Sequence, residues 1–236
     1  MTRIPHNKLP RPALRWRATV ALGLAGVIGL LSVPSGADAA RTTTSDAIAD
    51  EAERAVDALE RWRDGQNPVD YVRFVRGRDA AATMTATELE IDARTLASAW
   101  ADAPATKQHA VLAAMSQLGV PYRSLKSDPD VGFDCSGLTT WAFAEAGVEL
   151  PRVSRDQIRS ADDVERGGAA PGDLVYYPGH IGIYLGAETY VHSPNSGNHV
   201  EARHLPGKSL RFGDPVAGLE VDFGELLVDR SLTVAQ

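Results

Sequence analysis

From Ser45 to Arg63 the apolar residues Ile48, Ala52, Ala55, Val56, Leu59 and Trp62 recur at three- and four-residue steps. Charged residues fill the intervals, which is the period of an amphipathic helix. Gly65 and Pro68 in "DGQNP" break the pattern and end it. After a mixed stretch, "TATELEIDARTLASAW" opens with Thr85-x-x-Glu88, the spacing of a capping box, and continues helically through Leu89, Ala93, Leu96 and Trp100. A further helical run, "ATKQHAVLAAMSQLG", stops at Gly119, and another starts behind Asp134 and passes through Trp141 and Ala146 to Gly147. The texture then changes. "LVYY", "HIGIYLG", "TYVHS" and "VAGLEVD" are short β-rich runs bounded by turn residues. Helices followed by strands predict an α+β domain over 103–236, an antiparallel sheet covered by helices on one face, behind a helical extension over 40–102.

The first residues stand apart. Arg3, Lys8, Arg11, Arg15 and Arg17 precede an uncharged apolar run from Ala18 to Val33, and "SGADAA" supplies an Ala37-x-Ala39 cleavage signal. Together they predict a secretory signal peptide over 1–39. The apolar run is shorter than the roughly 20 residues a bilayer-spanning helix needs, so no stable membrane insertion is expected after cleavage. Losing 1–39 removes five basic residues and one acid, which takes the formal charge from −7 to about −11. So acidic a chain is not expected to bind nucleic acid, whose phosphates demand basic surface. One cysteine excludes an internal disulfide, so stability must come from an ordinary core.

That cysteine, Cys135, is either a small buried hydrophobe or a nucleophile. Asp134 is a good N-cap and places Cys135 in a first helical turn, where free N–H groups favour a thiolate. The carboxylate of Asp134 opposes this, so an activated thiol needs a basic partner. Of the histidines beyond the leader, His180 opens one strand run and His192 closes the next. In a hairpin with a two-residue loop the two rings would lie on opposite faces. A three-residue loop centred on Gly186 would pair them directly, with Cβ atoms roughly 4.5–5.5 Å apart. One ring could then take the thiol proton while the other orients it. His109 lies in a helical run, and His199 and His204 in the polar "SGNHVEARHL", where solvated side chains are expected. Neither His-x-x-x-His nor Cys-x-x-Cys occurs, so the residues indicate no metal site and no cofactor.

"GVPYR", "GFDCSGLTTWAF", "GVELPRVSRDQ", "PGDLVYY", "HIGIYLG" and "YVHSPNSG" follow one another in register. In these blocks the chain from Pro104 to about Val221 resembles the NlpC/P60 cysteine peptidases, cell-wall hydrolases of papain-like fold. The resemblance implies Cys135 as nucleophile, His180 as its base and His192 as the group orienting that base. Tyr122, thirteen residues before the cysteine, matches a family tyrosine beside the nucleophile. With Asp134 and Ser136 it is expected to serve oxyanion and substrate binding. The implied substrate and partner is the peptidoglycan stem peptide, usually cut between D-glutamate and diaminopimelate or lysine, which agrees with export to the cell wall. One departure stands out: many members carry Trp-Gly-Gly after "PYR", whereas Ser124, Leu125 and Lys126 follow here. A non-catalytic wall-binding protein, or an amidase or acyltransferase, remains open on the same fold, as does a helical extension that covers the groove.

Overall fold

The computed structural model describes residues 36–218, with side chains from Thr44 onward. The predicted signal peptide lies outside the described residues except for Gly36–Ala39, which open the first helix. That helix, α1 (Gly36–Gly65), buries the predicted face through Ile48, Ala52, Ala55, Leu59 and Trp62. Asn67 then caps α2 (Pro68–Glu88) by accepting from the Val69 N–H, and Pro68 sits where a missing N–H costs nothing. This helix fills the stretch that carries no clear period: Phe74, Ala81, Ala82 and Ala86 are buried, but charged residues interrupt the stripe.

The capping-box reading of Thr85-x-x-Glu88 is corrected. Both residues close α2, and the Thr85 hydroxyl donates back to the Ala81 carbonyl at 2.8 Å. The next start is Asp92, whose carboxylate accepts from the Thr95 N–H at 2.7 Å and opens α3 (Ala93–Asp102). Helix α4 (Ala105–Met115) follows and is buried nearly all round. A small hairpin, β1 (Ser127–Asp128) and β2 (Gly132–Phe133), leads into α5 (Cys135–Glu145), and α6 (Ser154–Ser160) precedes the main sheet.

Six strands form that sheet: β3 (Asp162–Val164), β4 (Leu174–Tyr177), β5 (His180–Gly186), β6 (Thr189–His192), β7 (Glu201–His204) and β8 (Arg211–Asp214). Their spatial order is β3-β8-β4-β5-β6-β7, antiparallel throughout, so the fold is α+β. The last described strand is Arg211–Asp214, and of the run "VAGLEVD" only Val216–Gly218, in a turn, lie among the described residues. Pro215, which lacks a ladder donor, turns the chain out of the sheet, and residues beyond 218 lie outside the described ones. One face of the sheet packs Leu174, Ile181, Ile183, Leu185 and Val191 into the core with Leu112, Met115, Leu138 and Phe143 of the helices. The other face carries Val175, Tyr184, Tyr190 and Phe212, and with them His180 and His192.

How the two histidines reach one face differs from expectation. The β5–β6 turn is the two-residue Ala187–Glu188, both with positive φ (48° and 58°). By itself such a turn would send the rings to opposite faces. Pairing runs Ile183↔Val191 and Tyr184↔Tyr190 but then Gly186↔Thr189, so Leu185 is an extra residue, a bulge. The bulge restores the shared face, with the histidines diagonal rather than directly opposed. Their ladder partners are Tyr177 for His180 and Glu201 for His192. The indole of Trp100, on α3, donates to the Leu185 carbonyl at 2.8 Å, so the helical extension supplies the partner of the bulged backbone.

The extension therefore shares a core with the sheet: α1 packs on α2 and α4, α3 on β5, all within one compact unit. Lys107 of α4 adds a buried tie, reaching Asp173 at 2.8 Å and Asp214 at 2.6 Å. A chain starting at residue 103 would expose the apolar side of α4 that packs on α1 and the side of β5 that packs on α3. It is expected to lose the cooperative urea transition of residues 40–236, and an equal transition midpoint would contradict the shared core. Trp100→Phe keeps the ring but strands the Leu185 carbonyl. It should cost about 1–3 kcal/mol in urea unfolding, with amide exchange quickening first around the bulge.

Candidate active site

The start of α5 is built around Asp134. Its carboxylate caps the helix by accepting from the Gly137 N–H at 2.7 Å, and Arg152 donates to both of its oxygens at 2.9 and 2.7 Å. Arg152 also donates to the Ser136 hydroxyl at 2.9 Å. The guanidinium offsets the negative charge beside the thiol, and the two residues expected to bind substrate are already engaged in holding the helix start. Gly137 is required by a close approach: a Cβ there would lie 1.9 Å from the Lys126 carbonyl. That carbonyl also accepts from the Asp134 N–H at 3.0 Å. The Ser124–Lys126 departure thus lies against the first turn of α5, with the Leu125 side chain turned out to solvent.

Cys135 is half-buried, and its sulfur accepts from the backbone N–H of Ile181, the residue after His180. Burial pushes the thiol above its ordinary range and the Asp134 charge adds to this, while the Ile181 N–H works the other way. His180 and His192 meet edge to face, Nε2 of the first 2.7 Å from Nδ1 of the second. Burial, then the neighbouring imidazole and Lys208, bring His180 down to about 3. Burial lowers His192 too, against the pull of Glu201, whose Oε1 is 3.2 Å from His192 Nε2. Tyr177 stacks on His180 with centroids 5.0 Å apart, Tyr190 on His192 at 4.4 Å, and the two hydroxyls bond to each other. Gly182 makes room for this cage, since a Cβ would lie 2.7 Å from both the Tyr190 ring and the Val191 carbonyl.

The structure thus brings Cys135, His180 and His192 to one end of β5. Tyr122 reaches the same region by its backbone, bridging to Phe133 and donating its N–H to Asn198 at 2.8 Å. His109 is buried in α4, its Nδ1 accepting from Arg63 at 2.8 Å, while His199 and His204 are exposed. A thiol next to a neutral imidazole, itself tied to a second ring, can undergo proton abstraction as the sulfur attacks an acyl carbon.

Residues 119–211 match the NlpC/P60 family. The chain carries an NlpC/P60 domain. Over 136 residues it is 35% identical to a probable endopeptidase of Corynebacterium glutamicum (strain R), covering 56% of this chain and 64% of that protein. Over 92 residues it is 39% identical to the bifunctional muramidase/DL-endopeptidase CwlT of Bacillus subtilis, covering 36% and 28%. The murein DD-endopeptidase MepH of Escherichia coli is 34% identical over 101 residues, covering 39% and 37%. The chain thus spans 28–64% of the length of these curated relatives. The solved P60 domain of a Mycobacterium avium subspecies paratuberculosis antigen is 29% identical, with a TM-score of 0.43 over 47% of this chain and 95% of that one.

Within the NlpC/P60 domain, sequence reasoning left Arg152, Tyr177, Tyr190 and Glu201 without roles. Tyr190 was reachable, since it sits two residues from His192 on the same strand and so shares its face. Glu201 was not, because its place depends on the β6–β7 register. With a raised thiol and a lowered imidazole, the resting site holds a neutral pair. Alkylation of Cys135 by iodoacetamide should therefore climb along an alkaline limb above the usual thiol range of about 8.5. A rate plateau from pH 5 to 7 would mean a preformed thiolate–imidazolium pair instead.

Proposed function

We propose that this protein is an exported peptidoglycan endopeptidase that cleaves stem-peptide amide bonds through Cys135, with His180 as base and His192 orienting it. The observation that carries this reading is the hydrogen-bonded imidazole pair beside the chain's single thiol. The relatives' names point the same way, all three being endopeptidases and two of them naming DL- or DD-endopeptidase activity.

In the first half-reaction the Cys135 proton passes to His180 as sulfur adds to the amide carbonyl carbon. The C–N bond breaks, the leaving amine takes the proton from His180, and a thioester remains. Water then gives a proton to His180 while its oxygen attacks the thioester, and the thiol leaves reprotonated. The Cys135 backbone N–H, which lies at the helix start and already faces the sulfur, is suited to the oxyanion, a contribution of roughly 2.7–4 kcal/mol at comparable sites. Tyr122, whose backbone bridges to Phe133 two residues before the thiol, is assigned by the family resemblance to assist there. The preferred bond is D-glutamyl–diaminopimelate, and the catalytic domain extends over 103–236 beyond the matched region. Export rests on the predicted leader; among the described residues no helix is long and apolar enough to cross a membrane. A purely wall-binding role finds no support in the site, where thiol and both rings are present.

Cys135→Ala and His180→Ala should each abolish release of stem-peptide fragments from purified walls while leaving the thermal transition in place. Release by the cysteine variant at the wild-type rate would overturn the mechanism. Mass spectrometry of fragments from defined muropeptides checks the bond: D-glutamyl termini are expected, and products cut only at a cross-link would move the assignment.

A further inference from the structure

Glu201 opens β7 directly across from His192 in the ladder, and its Oε1 lies 3.2 Å from His192 Nε2. Arg203, two residues on along the same face, donates to that same oxygen at 3.1 Å. A carboxylate with no proton only accepts. The His192 bond, more than Arg203, holds the carboxyl below its ordinary range, against the effect of partial burial.

From these contacts we infer that Glu201 is a positioning residue that sets the tautomer of both imidazoles. The inference rests on the proposed thiol chemistry but concerns a different residue. Because Glu201 accepts, His192 must carry its proton on Nε2, which leaves Nδ1 as an acceptor. His192 Nδ1 is 2.7 Å from His180 Nε2, so His180 must donate there and carry its own proton on Nε2. Only His180 Nδ1 is then left with a lone pair for the Cys135 proton. Without a fixed acceptor at the end of the chain, the bond between the rings could run the other way. His192 Nδ1 would then donate to His180 Nε2, and His180 would present a protonated Nδ1 to the thiol, unable to take its proton. The proton order of the site is thus written from the exposed end inward.

The groups that face these rings are accounted for. His180 meets His192, Tyr177 and Lys208, with the Cys135 sulfur held at the neighbouring Ile181 N–H, and His192 meets His180, Tyr190, Glu201 and Arg203. Of these, only Glu201 is an obligate acceptor within reach of a ring nitrogen. The tyrosines touch ring faces, and Lys208 and Arg203 only donate. Glu201 acts through His192 rather than on the reacting atoms.

The test is nitrogen-15 NMR of histidine-labelled protein at neutral pH, read beside steady-state cleavage of a stem peptide. In the wild type both rings should show a protonated Nε2 and an unprotonated Nδ1. Glu201→Gln, whose amide can accept or donate, should give mixed tautomers, and Glu201→Leu a further loss of the wild-type pattern. In Glu201→Gln kcat should fall about tenfold with KM unchanged, far less than the ~10⁴ for a triad whose orienting carboxylate is lost, because His192 still holds His180. Arg203→Gln should leave the tautomers as they are. Wild-type nitrogen shifts in both Glu201 variants would overturn the assignment whatever their activity, and lost activity with unchanged tautomers would reduce Glu201 to a structural residue. Should the wild type cleave no stem peptide, the functional proposal fails, but the nitrogen shifts still decide the role of Glu201. The side chain is 45% exposed, so neither variant threatens the fold.

Discussion

Two imidazole rings joined by one hydrogen bond, shut away from water, set the terms for the rest of this molecule. Burying an imidazolium is costly, so both rings rest neutral, and a neutral ring has one donor and one acceptor nitrogen. Every group around the pair answers that condition. Tyrosine faces cover the rings without competing for their protons, a glycine gives them room, and the charges nearby sit at the edges. Burial has the same effect on the thiol. A site of this kind stores no ion pair and develops its charge only when a substrate arrives.

The scaffold carries that arrangement by backbone rather than by side-chain chemistry. Arg152 and the Lys126 carbonyl fasten the first turn of α5, which aims the sulfur at the beginning of β5. The helices before the NlpC/P60 domain are part of the same construction. Trp100 donates to the carbonyl of the bulged Leu185, and α1 packs behind α4. A separable cover over the groove would not share a core with the domain it covers.

Much of this was legible in the residues. The amphipathic period found α1, the glycine stop at Gly147 found the end of α5 while α4 ends at Met115, short of Gly119, and Asp134 before Cys135 announced a capped helix start with a thiol in its first turn. The failures have physical causes. Thr85 and Glu88 have the spacing of a cap, but a threonine hydroxyl can equally bond back to the carbonyl four residues earlier, and here it does. The β5–β6 turn was misjudged because strand parity counts residues, and a bulge adds one without any sequence mark. Glu201 and Arg152 could not be placed at all, since each meets its partner through a pairing between segments that the local pattern does not encode. The spacing of His180 and His192 hinted at their partnership, although the geometry that joins them is diagonal and not face to face.

The bulge at Leu185 leaves a lasting mark on how this hairpin can change. Loops normally absorb single-residue insertions and deletions with little penalty. A single insertion or deletion within the paired stretches, His180–Tyr184 or Tyr190–His192, would swing a ring through to the helix-covered side, whereas one at the bulge or in the Ala187–Glu188 turn leaves the pairing beyond it as it is. Tolerance in this short segment is therefore a matter of where a change in length falls, and a lone indel inside either strand would silence the centre while sparing every residue that composes it.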